Sequence, residues 1–284
     1  MISLTPSEIS QLSTRQISAW STSDVSSLTT AQAKALTSAQ VAALSGEQVA
    51  AISKDDLVSL TSTQIQAFSR LQMASMSTTQ LSALKTSQTG ALASGQLDAL
   101  SSTQIKAFTT AQIRSLKSAL ITALSTSQIM SLTSDQVRAL MTGQISAMET
   151  RDLAAMTTEQ IAALESSQFA VMSSSQVAAL SASQVAAIDA GDLVKWGSAQ
   201  MQALSSSQLR AIGSEQLQAF GSTQIGTLTT NQVAVLSSQQ VAALTTSQLR
   251  AFNTSQVAAL SSHHLSSLST GQLQALSASQ ITGI

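Results

Sequence analysis

A large apolar residue recurs at every eighth position from Leu4 to Ile284, without one insertion or deletion. The series opens Leu4, Leu12, Trp20, Leu28, Leu36, Leu44, Ile52, Leu60, Phe68, Met76, and fills 35 complete octads over residues 4–283. The consensus is Leu-(Ser/Thr)-x-x-Gln-(Val/Ile/Leu)-x-(Ala/Ser), with Leu36 to Ala43 a clean copy; its places are numbered one to eight below. Place five is Gln in 28 octads, the exceptions being Glu8, Asp24, Asp56, Leu120, Asp152, Asp192 and His264. Place six is apolar except at Thr89. Only a regularly stacked array has a use for such strict length. The expectation is one continuous solenoid over residues 1–284, with no separate domains.

The octad reads as a helix start. Ser or Thr followed three residues later by Gln is a capping box, in which the hydroxyl accepts from the third helical N–H and the amide reaches back to the cap. The apolar residues at places one and six have the spacing of a hydrophobic staple. Thr5-Pro6-Ser7-Glu8-Ile9 fixes the same phase independently, with Pro at the first helical position, where its missing N–H costs nothing. Charge agrees. All acids but Asp98 lie at places two, four or five, and Lys34, Lys106, Arg114, Arg138, Arg210 and Arg250 all lie at place seven. That polarity suits a helix dipole that restarts every eight residues.

One long helix fails on geometry, because apolar places with a mean spacing of four drift by about 40° each around a helix of 3.6 residues per turn. The rival is a β-solenoid with three octads per coil, which predicts β-branched alternation and Gly, Asn or Asp corners. Ala, Leu and Gln at alternating spacings of five and three favour the all-α reading: a superhelix of about 35 short capped helices, one per octad.

A six-residue helix is not stable alone. Each octad must therefore pack on its neighbours, with places one and six inside, places three, four and seven outside, and a small residue at place eight. Leu36, Val41, Leu44, Val49, Trp20 and Trp196 are the expected core. The box glutamines Gln40, Gln48, Gln64, Gln176, Gln184 and Gln256 are expected to cap and also to bridge adjacent octads, since an amide both donates and accepts. Glu could not bridge in this way.

Composition removes several function classes. There is no Cys, so neither a disulfide framework nor a thiolate metal site exists. Thirteen basic against fourteen acidic residues leave a net charge of -1, which offers nucleic acid no attracting field. No apolar run approaches a membrane span, and the opening residues have no secretory-signal pattern, so no membrane insertion is expected. His263-His264 lacks flanking acids and reads as a substituted box, not a metal site. Asp24, Asp56, Asp152 and Asp192 read as shortened boxes. No Ser has a His–acid relay, and Asn253-Thr254-Ser255 is only a formal glycosylation sequon. No catalytic, cofactor or metal residue is assigned, and the chain is not expected to be an enzyme.

Leu4-Thr5-Pro6-Ser7-Glu8-Ile9 resembles the opening helix of transcription-activator-like effector repeats, whose longer repeat carries a base-reading loop that this chain lacks. The whole chain is more similar to octapeptide-repeat tracts of large proteobacterial surface or secreted proteins of adhesin-like type. Met148-Glu149-Thr150-Arg151-Asp152-Leu153-Ala154-Ala155-Met156-Thr157-Thr158-Glu159-Gln160-Ile161 carries that likeness. The resemblance implies a spacer, stalk or filament-forming segment in an extracellular or cell-surface assembly. The alternative is a surface-binding array showing Ser/Thr rows to ice, glycan or protein. Partners would then be the chain itself, end to end or laterally, or neighbouring repeats of a longer chain. Leu4, Ile9, Ile281 and Ile284 are the apolar residues expected to be exposed at the two ends.

Overall fold

The computed structural model describes residues 3–282. Its helices run from α1 (Pro6–Gln11) to α35 (Ala278–Ile281), one per octad and each four to six residues long. No strand occurs among the described residues, so the β-solenoid is excluded there. The helices fall into two compact units, Met1–Ala147 and Met148–Ile284, each a solenoid of the same construction.

The local rule is visible in one octad. Thr37 is extended at φ -75°, ψ 160°; its hydroxyl accepts from the Gln40 N–H at 3.2 Å, and its own N–H donates to Gln40 Oε1 at 2.7 Å. The helix closes when the Leu44 N–H donates to the Val41 carbonyl at 3.3 Å. Where the helix is one residue longer, the place-one residue that follows is extended, as Leu36 is at φ -57°, ψ 134°. The chain thus changes direction at places one and two. No described residue has a positive φ, which is why a chain that turns 35 times manages with 11 Gly and one Pro.

Helices three octads apart pack together, as α4 (Thr30–Ala35) does on α7 (Lys54–Ser59) in the first unit and α23 (Ala182–Ala186) on α26 (Ser206–Ala211) in the second. Side-chain bonds between successive turns span 25 to 31 residues, from Ser62 to Ser87 at one extreme and Gln184 to Leu153 at the other. One solenoid turn therefore takes between three and four octads.

Places one and six form the core of each unit. Val41, Val49, Leu57 and Ile65 are wholly buried at place six, and Leu36 and Leu44 nearly so at place one. Each such Leu contributes about 2 kcal/mol of apolar burial. Trp196 is buried and meets Phe169 edge to face, with centroids 6.4 Å apart at 74°. Thr89 keeps its core place because its hydroxyl donates to the Lys85 carbonyl at 3.1 Å.

Two expectations need correction. Trp20 is only half-buried, and Ile9 is buried, not an exposed end residue. Both follow from direction: place one faces the preceding turn and place six faces the following one. In the first turn Leu4, Leu12 and Trp20 therefore stay half-exposed while Ile9, Ile17 and Val25 are covered. In the last turn the pattern reverses, with Leu273 and Ile281 exposed and Leu268 and Leu276 buried. Ile284 lies outside the described residues.

Candidate functional site

The chemistry of this chain is concentrated in the box glutamine. The cap places its carboxamide over the helix N-terminus, and the tight helix start turns it inward, so Gln40, Gln48, Gln64, Gln176, Gln184 and Gln256 are all buried. Gln184 is typical. Its Oε1 accepts from the Ser181 N–H at 2.7 Å, and its Nε2 donates to the carbonyls of Leu153 at 2.9 Å and Met156 at 2.7 Å, in the preceding turn. Gln40 reaches Ile9 and Leu12 at 2.8 Å each, and Gln48 reaches Trp20 at 2.6 Å. Gln64 donates to Lys34 and Leu36, Gln176 to Met148 at 2.9 Å, and Gln256 to Gly226 at 2.9 Å and Leu228. The acceptors lie at the C-terminal end of a helix one turn back: the place-one carbonyl, as at Met156, and the place-six carbonyl, as at Leu153, which also accepts from the Met156 N–H at 3.2 Å. One planar group thus serves the N-terminus of its own helix and the C-terminus of another.

Sequence reasoning missed a second set of bridges. Place seven was expected to be inert surface, but its long side chains reach forward to place-eight carbonyls 25 residues on. Gln66 donates to Ala91 at 2.6 Å, Gln202 to Thr227 and Gln218 to Ala243 at 3.1 Å each. Arg210 Nε donates to Val235 at 3.2 Å and Arg250 Nε to Ala275 at 3.1 Å. The run of cations at place seven was the available signal. Of these, Arg210 and Arg250 serve a helix C-terminus of the next turn as well as their own. Asp98, the acid that breaks the charge pattern, is likewise in an inter-turn pair with Arg70.

The exceptions at place five behave according to their donors. His264 is buried; its Nδ1 accepts from the Ser261 N–H at 3.2 Å, and its Nε2 bonds Leu236 O at 2.9 Å. Asp56 is buried too, accepting from the Ser53 hydroxyl at 2.6 Å, but it has no amide to extend toward Val25 and Leu28. Asp192 accepts from the Ser166 hydroxyl, and Asp152 lies 3.7 Å from Arg151 Nε. Glu8 and Asp24 cap in solvent. The Thr5 N–H and then its hydroxyl hold the Glu8 carboxyl below its ordinary range; the Ser21 hydroxyl and then its N–H do the same for Asp24.

Other candidates carry less. Asn253 is spent as a cap, its Oδ1 accepting from the Gln256 N–H at 2.9 Å. A groove of ≈ 400 Å³ runs between Ile188–Ala190 and Gly213–Gln216, but its Asp189 is a cap, accepting from the Gly191 N–H at 2.8 Å. Among the described residues no group of three His, Asp or Glu is placed to hold a metal, and no helix is long and apolar enough to cross a membrane.

Against known families, the pattern of capped octads finds a match. The ALTTAQ repeat covers residues 21–54, 89–126, 121–150, 145–182, 185–222, 211–246 and 238–270, more than half of the chain. The chain belongs to the ALTTAQ repeat family. In these ALTTAQ repeats the Thr-Thr-x-Gln pattern is the box described above, as at Thr109-Thr110-Ala111-Gln112, where the Thr109 N–H donates to Gln112 Oε1 at 2.7 Å. No curated protein matches the chain.

Proposed function

We propose that this repeat protein is a spacer or stalk segment, extended turn by turn, in a bacterial surface or secreted assembly. The observation that carries the reading is the uniformity of the glutamine bridges within each unit: Gln40, Gln48 and Gln64 in the first, and Gln176, Gln184 and Gln256 in the second, all land on peptide carbonyls of the preceding turn. The partners implied are neighbouring repeats of the same kind. The surface and secreted setting rests on the likeness of stretches such as Met148 to Ile161 to adhesin-like repeat tracts. This reading gives the chain no catalytic group.

The alternative, an array showing Ser/Thr rows to a ligand lattice, loses support from the turn size. With a non-integral number of octads per turn, equal places in successive turns are offset along the coil, and identical hydroxyls do not form a flat rank. Hydroxyls at place two are also occupied in caps, and Ser62 and Ser102 at place three donate to Ser87 and Ser127.

Electron microscopy of the purified chain, and of a variant with seven consensus octads inserted after Ser59, tests the spacer reading. A rod that lengthens with the insertion is expected. An unchanged long dimension would overturn it.

A further inference from the structure

An amide at place five presents one acceptor and one donor at every pH. His264 fills that place in α33 (Ser262–Ser266) with a group whose acceptor a proton converts to a donor. Its Nδ1 accepts from the Ser261 N–H at 3.2 Å, and the Ser261 hydroxyl accepts from the His264 N–H at 3.2 Å, which closes the box. Its Nε2 bonds the Leu236 carbonyl at 2.9 Å and so fastens α33 to the octad of α30 (Ser238–Ala243), the helix on which it packs. The bond from Ser261 exists only while Nδ1 carries no proton.

The surroundings do nothing to welcome that proton. The ring is buried, so an imidazolium there is largely cut off from water. The packed helix α30 carries no titratable side chain, and neither do the chain neighbours α32 (Thr254–Ala258) and α34 (Thr270–Ala275). On α33 itself the other titratable group is His263, which is exposed. Glu215 is the last acidic residue, so residues 216–284 hold no carboxylate side chain. Their one Lys or Arg is Arg250, whose Nε donates to the Ala275 carbonyl at 3.1 Å. Among the described residues of this stretch, a charge on His264 has no counter-ion.

We propose that His264 is an acid-sensitive latch between two solenoid turns. Near neutral pH the ring does the work of a glutamine. A proton on Nδ1 sets N–H against N–H at Ser261, in a buried site with no opposing charge. The ring must then leave the box, and it releases the Leu236 carbonyl as it goes. The cap of α33 and its bond to the preceding turn are lost together. The unfastened segment takes the proton freely, so the folded turn loses stability as pH falls through the range in which imidazole is protonated in water, about pH 6.5. Glutamines at place five do not respond there, and carboxylates change only near about pH 4.

The test is amide hydrogen exchange of the full chain by NMR, expressed as protection factors so that the intrinsic pH dependence of exchange drops out. The amides of Leu265 and Ser267, which donate to the Ser261 and His264 carbonyls, report on α33. Their protection should fall about tenfold between about pH 7.5 and about pH 5.5 in the parent chain. His264→Gln should hold it constant over the same range, since Gln closes this box in most octads, and His263→Gln should behave as the parent does. Nitrogen shifts of the His264 ring at about pH 7.5 should show a bare Nδ1 and a protonated Nε2. Unchanged protection in the parent chain would overturn the proposal. So would a fall that His264→Gln keeps or His263→Gln removes, or a proton on Nδ1 at the higher pH.

Discussion

His264 Nε2 lies 2.9 Å from the carbonyl oxygen of Leu236, the same 28-residue span and the same distance that Gln232 Nε2 makes to Leu204. Imidazole and carboxamide share little except one acceptor and one donor on a rigid planar group. In the neutral tautomer with its proton on Nε2, His264 reproduces both. His264→Gln should therefore leave the melting temperature nearly unchanged, while His264→Ala should cost about 1–2 kcal/mol in a denaturant melt, from a cap N–H and a carbonyl left unpaired. Equal melts for the two variants would mean the ring is only filler.

The glutamine itself should matter more than any hydroxyl. Gln184→Ala removes the acceptor for Ser181 and the donor to Leu153 and Met156. We expect a loss of about 2–3 kcal/mol by urea titration, above the about 1 kcal/mol of an ordinary cap. Ala178→Gln, at place seven, should be slightly stabilising, because the carbonyl of Ala203 lies 25 residues on, where Gln202 and Gln218 find theirs.

Asp56 offers the converse. It is buried at place five, caps through Ser53, and brings no donor to the preceding turn. Asp56→Gln should supply the missing bridge and stabilise the chain by about 1 kcal/mol, raising the denaturation midpoint with an unchanged slope.

The exposed acids set a pH limit on the first turn. Glu8 and Asp24 are held below their ordinary ranges by bonds from Thr5 and Ser21. A depressed carboxyl contributes stability that is fully present above its unfolded value, about pH 4, and is lost as pH falls through the folded value. Backbone chemical shifts of residues 5–27 should lose helical character as pH falls below about 4, and Glu8→Gln with Asp24→Gln should remove that transition.

Two glycines should respond oppositely to the same change. A Cβ on Gly90 would sit 2.8 Å from the Ser115 carbonyl oxygen, a backbone atom of the next turn, while one on Gly271 would meet nothing within 4 Å. Gly271→Ala should stabilise by about 0.5–1 kcal/mol through helix propensity. Gly90→Ala should lose about 1–3 kcal/mol despite that propensity, because two turns must separate. Melts of the two single variants decide it.

Much of this was legible in the octad because its rules are local. Thr37 and Gln40 are three residues apart, so cap, box and staple can be read from a single line of sequence, as can the burial of Val41 and Leu44. The bridging role of Gln184 could be inferred from its unused donor, but not its destination. The acceptors at Leu153 and Met156 are peptide carbonyls, which carry no residue identity, so nothing in the sequence marks a span of 28 or 31. The same blindness hid Gln66 reaching Ala91 and made place seven look idle. Ile9 was misplaced because the octad does not say which way along the coil places one and six face.

Because each box glutamine grips a main-chain oxygen, it makes no demand on which side chain lies opposite. A gene encoding such octads can gain or lose copies in any number, odd or even, and every remaining amide still finds a carbonyl at the required step. For these bridges, length is thereby released from the identity of the side chains opposite. Insertion or loss of whole octads can set the reach of the molecule in increments of eight residues.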